Sequence, residues 1–221
     1  LDFELIEAVS GKDLPAEDLL QKVSVPALEY LTLGEIGCAL SHLAIYNKIV
    51  SNNIPYALIL EDDAILLPDV DSVLSAIKPL LDPNQKRVYL LHKTEKVYSN
   101  RVTPLNDDYL LYESRTPTYA HGYIITNKAA RTLLKINSPI LVEADAWQTF
   151  YFMSFLKTYA LNKDLIISRD VSKEDSSIES ERLCLTKRQL ILRKKIDKRF
   201  SFVKIYHKLI RRLFLRQIEV R

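Results

Sequence analysis

The sequence predicts a layered α/β domain followed by a basic helical extension, and three observations lead there. Short apolar runs alternate with amphipathic segments as far as residue 170, with no internal repeat and no Gly/Ser linker. Of 221 residues, 48% are hydrophobic and 27% charged, which fits a globular core and excludes a disordered chain, a collagen-like fibre or a disulfide-stapled miniprotein. The formal charge of +3 is the sum of two unlike parts. Residues 182–221 carry 14 Lys/Arg against two acids, a net of +12, while the preceding residues carry 17 against 26, a net of −9. These shifts place a domain at 1–170, a polar linker at 171–186 and a basic tail at 187–221.

Taken in order, Phe3 to Val9 reads as a strand ending in the turn Ser10-Gly11-Lys12-Asp13. Thr32 followed three residues later by Glu35 is a capping-box pattern, so a helix should begin near Leu33. Ile36, Leu40, Leu43, Asn47 and Val50 give it a mostly apolar stripe, and Ser51-Asn52-Asn53 with Pro55 ends it. Tyr56 to Leu60 is long enough for a buried strand and too short for a buried helix. Residues 70–81 read as a helix disturbed by Pro79. Val88 to Leu91, Tyr109 to Tyr112, Tyr119 to Thr126 and Leu165 to Ser168 read as further strands, with a helix at Lys128 to Lys135. Asp145 stands where an N-cap would for a helix through Trp147, Phe150 and Phe155.

The chemistry-bearing candidates are few. Four glycines cannot spell a dinucleotide fingerprint or a Walker loop. Two cysteines, Cys38 and Cys184, are too few for a structural zinc site or a disulfide framework, which makes a reducing compartment the default. Glu61-Asp62-Asp63 follow the strand at Leu60 directly, at the strand end where open α/β sheets gather ligands. Glu61 and Asp63 on an extended turn suit a hard cation such as Mg²⁺ or Mn²⁺ with a substrate diphosphate; the bland alternative is a solvated acidic turn. Cys38 and His42, at i and i+4, are close enough to share a ligand, although a cysteine in an apolar helix is more often plain core. His121 beside Gly122 either approaches a ligand or marks a strand-end kink. Asp145 either caps its helix or serves as a general base.

The run Leu31-Thr32-Leu33-Gly34-Glu35-Ile36-Gly37-Cys38-Ala39-Leu40-Ser41-His42, followed by Ala57-Leu58-Ile59-Leu60-Glu61-Asp62-Asp63-Ala64, resembles glycosyltransferase family 25, the lipooligosaccharide biosynthesis family of Gram-negative bacteria. Glu7 to Lys12, Gly122 to Ile125 before Ala129-Ala130, and Glu143-Ala144-Asp145 extend the likeness across roughly residues 3–170. The resemblance implies a GT-A-type, Rossmann-like nucleotide-sugar fold. It also implies transfer of galactose, or else glucose, from a UDP-sugar to a lipooligosaccharide sugar with inversion. By the same analogy Glu61 and Asp63 hold Mn²⁺ or Mg²⁺, and Glu35, Ser41, His42 and Asp62 contact the substrate on the donor side. Asp145 is the base, and His121 and Gly122 lie on the acceptor side. Family members begin with a strand upstream of the Glu7 motif. Since Leu1 is not a Met, residues before it are expected to have been removed or left out. The alternative function is a catalytically inactive scaffold of the same fold.

In the tail, Phe202, Ile205, Leu209 and Leu213 fall on one stripe with Lys204, Lys208, Arg211 and Arg212 between them. A basic amphipathic helix over 187–218 suits an anionic membrane surface, here the cytoplasmic face of the inner membrane; packing on the acidic body is the competing use. Nothing else supplies the stacking or groove-reading elements of a nucleic-acid binder.

Overall fold

The computed structural model describes residues 3–169, 181–182, 184–187, 189–192, 195 and 216–220. Phe3 to Val9, read from the sequence as a strand, have no regular secondary structure. Their backbone finds a helix rather than a sheet edge: the Val9 N–H donates to Ser41 Oγ at 2.8 Å, and Glu4 pairs with Lys48. Two short helices follow, α1 (Ala16–Lys22) and α2 (Val25–Leu28). The long helix α3 (Leu33–Ser51) starts where its capping box predicts, with Glu35 N–H on Thr32 Oγ1 at 3.2 Å and Thr32 N–H on Glu35 Oε2 at 2.9 Å.

The buried face of α3 takes in most of the predicted stripe and extends past it. Ile36 and Leu43 are buried, and Leu40 and Val50 pack half-buried on the same core; Ala39, His42, Tyr46 and Ile49 also face inward, while Asn47 is exposed. The cause is a close approach at one end and a polar contact at the other. Gly37 packs on Gly11, where a Cβ on Gly37 would lie 2.5 Å from the Val9 carbonyl oxygen and 2.7 Å from the Gly11 nitrogen. His42 and Tyr46 turn inward to reach Tyr123.

The strands β1 (Tyr56–Leu60), β3 (Arg87–Lys93), β4 (Lys96–Pro104), β5 (Leu110–Ser114), β6 (Gly122–Thr126), β7 (Lys157–Leu161) and β9 (Gln217–Glu219) form one sheet in the order β1-β6-β3-β7-β5-β4-β9. The pairing is antiparallel throughout except for β3 with β7, so the sheet is mixed and mostly antiparallel. A small second sheet pairs β2 (Ala64–Leu66) with β8 (Ile166–Ser168). Helices α5 (Asn127–Ile136) and α6 (Trp147–Ser154) lie with α3 over one core, which takes Val88, Leu90, Tyr123 and Ile125 from the sheet. Helix α4 (Val70–Ile77), ended by a 3-10 turn at Lys78–Leu80 around Pro79, covers the other core with Tyr89, Leu91 and Ile124. All five residues of β6 are buried, as suits a central strand covered on both faces.

Two further expectations change. Asp145 is not the N-cap of α6: Ala146 occupies that place, with no side-chain cap, because the Asp145 carboxylate turns to the backbone N–H of Tyr119. The basic region does not stay helical to residue 218. Residues 217–219 form β9, which completes the exposed edge of β4 through Lys96↔Glu219 and Tyr98↔Gln217. The predicted stripe of Phe202, Ile205, Leu209 and Leu213 lies outside the described residues. No helix among the described residues is long and apolar enough to cross a membrane.

A Gly→Ala change inside a helix normally stabilises it by about 1 kcal/mol. At Gly37 the sign should reverse, because the added methyl meets backbone that cannot swing aside. Gly37→Ala should destabilise by about 1–3 kcal/mol, read from urea unfolding curves of the two proteins.

Candidate functional site

Strands β1, β3 and β7 run the same way, and β6 runs against them, so their carboxyl ends and the start of β6 share one rim of the sheet. Leu60 pairs with Gly122, and the next residue, Glu61, donates its N–H to the His121 carbonyl at 3.1 Å. The acids sit on a tight turn closed by Ala64 N–H on the Glu61 carbonyl at 3.1 Å. This turn sends the carboxylates to different neighbours. Glu61 Oε1 lies 3.2 Å from His42 Nε2, while Asp63 accepts the Ser168 hydroxyl on β8. The second Asp63 oxygen, Oδ1, is buried and has no hydrogen-bond partner. Asp62 is exposed.

Behind Glu61 a polar chain runs into the core. His42 Nδ1 is 2.6 Å from Tyr123 Oη, which is 2.7 Å from Tyr46 Oη. Two proton placements satisfy it. If Tyr46 donates to Tyr123 and Tyr123 to Nδ1, then Nε2–H donates to Glu61. If Nδ1–H donates to Tyr123, Nε2 meets Glu61 either through a second ring proton, as imidazolium, or across a bound cation. Cys38, one turn earlier, brings Sγ into the same group: the donor atoms of Cys38, His42 and Glu61 all lie within 4.8 Å of one another. Burial, helped by the charges of Glu61 and Asp145, pushes the Cys38 thiol up to about 12.

Asp145 faces this cluster from the loop before α6. Burial raises its pKa; the Arg182 charge opposes that shift and Glu61 adds to it. Its neighbour Tyr119 holds a left-handed backbone (φ 61°), fixed by Trp147 Nε1–H donating to the Tyr119 carbonyl at 2.8 Å, and leaves its ring 59% exposed. Left-handed geometry at a bulky residue is strained, and the loop's hydrogen bonds hold it. His121 donates Nε2–H to the Ile166 carbonyl at 3.1 Å, and its ring lies 4.4 Å from that of buried His92. His92 donates Nε2–H to the Thr118 carbonyl at 2.9 Å, leaving Nδ1 buried without a hydrogen bond.

The structure thus brings Glu61 and His42 together, with Asp145 within electrostatic reach of Glu61 and Cys38, and His121 across the β1–β6 pair. Other predicted residues have structural tasks. Ser41 holds the Val9 N–H and donates to the Gly37 carbonyl at 2.9 Å. Glu35 closes the capping box and takes Arg182 Nε–H at 2.7 Å with its side chain 1% exposed. The face over Gly122 is filled by Ile166, 2.8 Å from where a Cβ would stand. Sequence reasoning missed His92, Tyr123, Tyr46 and Arg182. For Arg182 there was a faint signal, an acid and a base at the end of the polar stretch. Glu181 docks there as well, on Lys12 at 2.9 Å and on the Gly34 N–H at 2.9 Å.

Comparison with known proteins points one way. A family model described as glycosyltransferase family 25 (LPS biosynthesis protein) matches residues 1–147. A Haemophilus influenzae protein named "Putative glycosyltransferase" is 29% identical over 192 residues, 79% of this chain and 65% of its own length. From the same organism, the lipooligosaccharide biosynthesis protein lex-1 is 32% identical over 114 residues, 48% of this chain and 37% of its own. An Aedes aegypti "Glycosyltransferase 25 family member" is 40% identical over 72 residues, 28% of this chain and 12% of its own. The chain spans 65% or less of the length of these relatives.

His92 gives this region a pH signature. Burial, with the nearby His121, lowers its pKa from 6.5 to about 4. Between those values the unfolded chain binds the extra proton, so stability is full above pH 6.5 and is lost as pH falls to about 4. The loss from this group is about 3 kcal/mol. Urea unfolding at stepped pH should show it in the wild type and a flatter profile in His92→Gln.

Proposed function

Since the chain belongs to glycosyltransferase family 25, we propose that it moves a hexose, galactose before glucose, from a UDP-sugar to a sugar of lipooligosaccharide, on a GT-A-type fold and with inversion. The observation that carries this reading is the His42–Glu61 contact at the rim formed by the carboxyl ends of β1, β3 and β7, with buried Asp145 close enough to feel the Glu61 charge. Ligands of open α/β sheets gather at such a rim.

The roles follow from chemistry. Asp145, made more basic by burial and held by the Tyr119 N–H, takes the proton of the acceptor hydroxyl. The hydroxyl oxygen bonds to the anomeric carbon as the bond to the UDP diphosphate breaks on the opposite face, which inverts that centre. A bound Mn²⁺ or Mg²⁺ would supply positive charge to the departing diphosphate. Glu61 and Asp63 would hold it. Asp63 Oδ1, buried without a hydrogen bond, suits a hard cation. The exposed Tyr119 ring and His121 face the acceptor side. The basic stretch within 187–221 holds the protein to anionic lipid at the inner membrane face, where a lipid-linked acceptor is extended.

Incubation with UDP-[14C]galactose or UDP-[14C]glucose and truncated lipooligosaccharide should label the acceptor only when Mn²⁺ or Mg²⁺ is present. Asp145→Asn should lower kcat by about 10²–10⁴-fold while UDP binding persists. Full activity of Asp145→Asn would remove that residue from the mechanism. Replacing Arg211, Arg212 and Arg216 by Gln should weaken sedimentation with vesicles containing phosphatidylglycerol at moderate salt; unchanged sedimentation would point to internal docking of the basic stretch.

A further inference from the structure

We propose that Cys38, His42 and Glu61 form a zinc-type metal site, distinct in donor chemistry from the oxygen-only pair assigned to Mn²⁺ or Mg²⁺. The donor atoms already converge, all within 4.8 Å of one another. Closing them round Zn²⁺, with Zn–S near 2.3 Å and Zn–N near 2.0 Å, asks for side-chain movements of roughly 1 Å. Two of the donors sit one turn apart on a single rigid helix, the spacing that lets helical side chains share an ion, and the third comes from the end of β1. Thiolate, imidazole and carboxylate together suit Zn²⁺, whereas Mg²⁺ and Mn²⁺ prefer oxygen alone.

The surroundings fit a ligating histidine. Metal-bound histidines direct their second ring nitrogen to an orienting partner. His42 does so through Nδ1 to Tyr123 Oη, backed in turn by Tyr46 Oη. With the ring neutral and Nδ1–H donating, Nε2 and Glu61 Oε1 present two lone-pair donors to each other across 3.2 Å. A cation turns that contact from repulsive to binding. On binding, the Cys38 S–H bond breaks, its proton passes to solvent and sulfur bonds to zinc. Among the described residues three protein donors converge, which leaves a fourth position open to water or substrate, as in catalytic zinc sites, and not closed as in structural ones. Glu61 would bind through Oε1, the oxygen that faces His42.

The test uses the full chain, stripped with a chelator and reloaded with one equivalent of Zn²⁺ or Co²⁺. The wild type should keep about one Zn²⁺ per chain through gel filtration. Its Co²⁺ form should show a near-ultraviolet thiolate-to-cobalt charge-transfer band. That band should vanish in Cys38→Ser and persist in Cys184→Ser. Tyr123→Phe, which leaves every ligand in place, should weaken Zn²⁺ binding by about 10–100-fold. Circular dichroism of Cys38→Ser confirms that it folds, and Glu61→Gln gives an independent loss of affinity. No retained zinc in the wild type, or a band that survives Cys38→Ser, overturns the site. Sugar transfer with Mn²⁺ in zinc-free buffer is scored separately, so loss of this inference leaves the transfer reading standing.

Discussion

A tyrosine hydroxyl shut away from water ties the active rim to the core. Tyr123 lies on the central strand β6, completely buried, and its oxygen contacts both His42 and Tyr46 on α3. A buried hydroxyl without partners costs about 1–3 kcal/mol, so α3 presents polar side chains to it at these two positions. That requirement sets the rotation of α3 about its axis. Once set, the same rotation aims His42 Nε2 at Glu61 and carries Cys38 beside it. Packing and chemistry are thus fixed by one contact, and burial raises the pKa values of both tyrosines, keeping the pair protonated.

The glycine contact at the other end of α3 completes the constraint. Gly37 on Gly11 brings the chain entering the domain within backbone distance of the helix, and Ser41 fastens it there. Glu35 then performs two tasks from inside the protein, closing its own helix and receiving Arg182. Arg182 places a cation among Glu61, Asp145 and Cys38, where burial alone would disfavour so many acidic groups.

Much of this frame was legible in the residues. The capping box at Thr32 and Glu35 located α3, the apolar run Tyr56 to Leu60 located β1, and the acids after it marked the rim. Local patterns of this kind carry their own physics. What sequence could not show depends on partners far along the chain. The apolar stripe of α3 was legible, but the burial of His42 and Tyr46 beside it was not, because a hydroxyl on β6 draws them inward. Asp145 looked like a cap because capping is local, yet the N–H it accepts belongs to Tyr119. Phe3 to Val9 reads like a strand but meets a helix. Strand β4 was missed because Ser99, Asn100 and Arg101 interrupt its apolar pattern.

The short strand β9 changes what kind of object the basic tail is. Residues 217–219 are stitched to β4, and Glu181 and Arg182 are fastened to Lys12 and to the start of α3. The basic end of the sequence is thus tied to the body at two places far apart along the chain, and closing a loop between fixed points costs entropy that grows only slowly with its length. On the proposed reading, a surface holding the basic stretch would pull on the sheet through both fastenings at once.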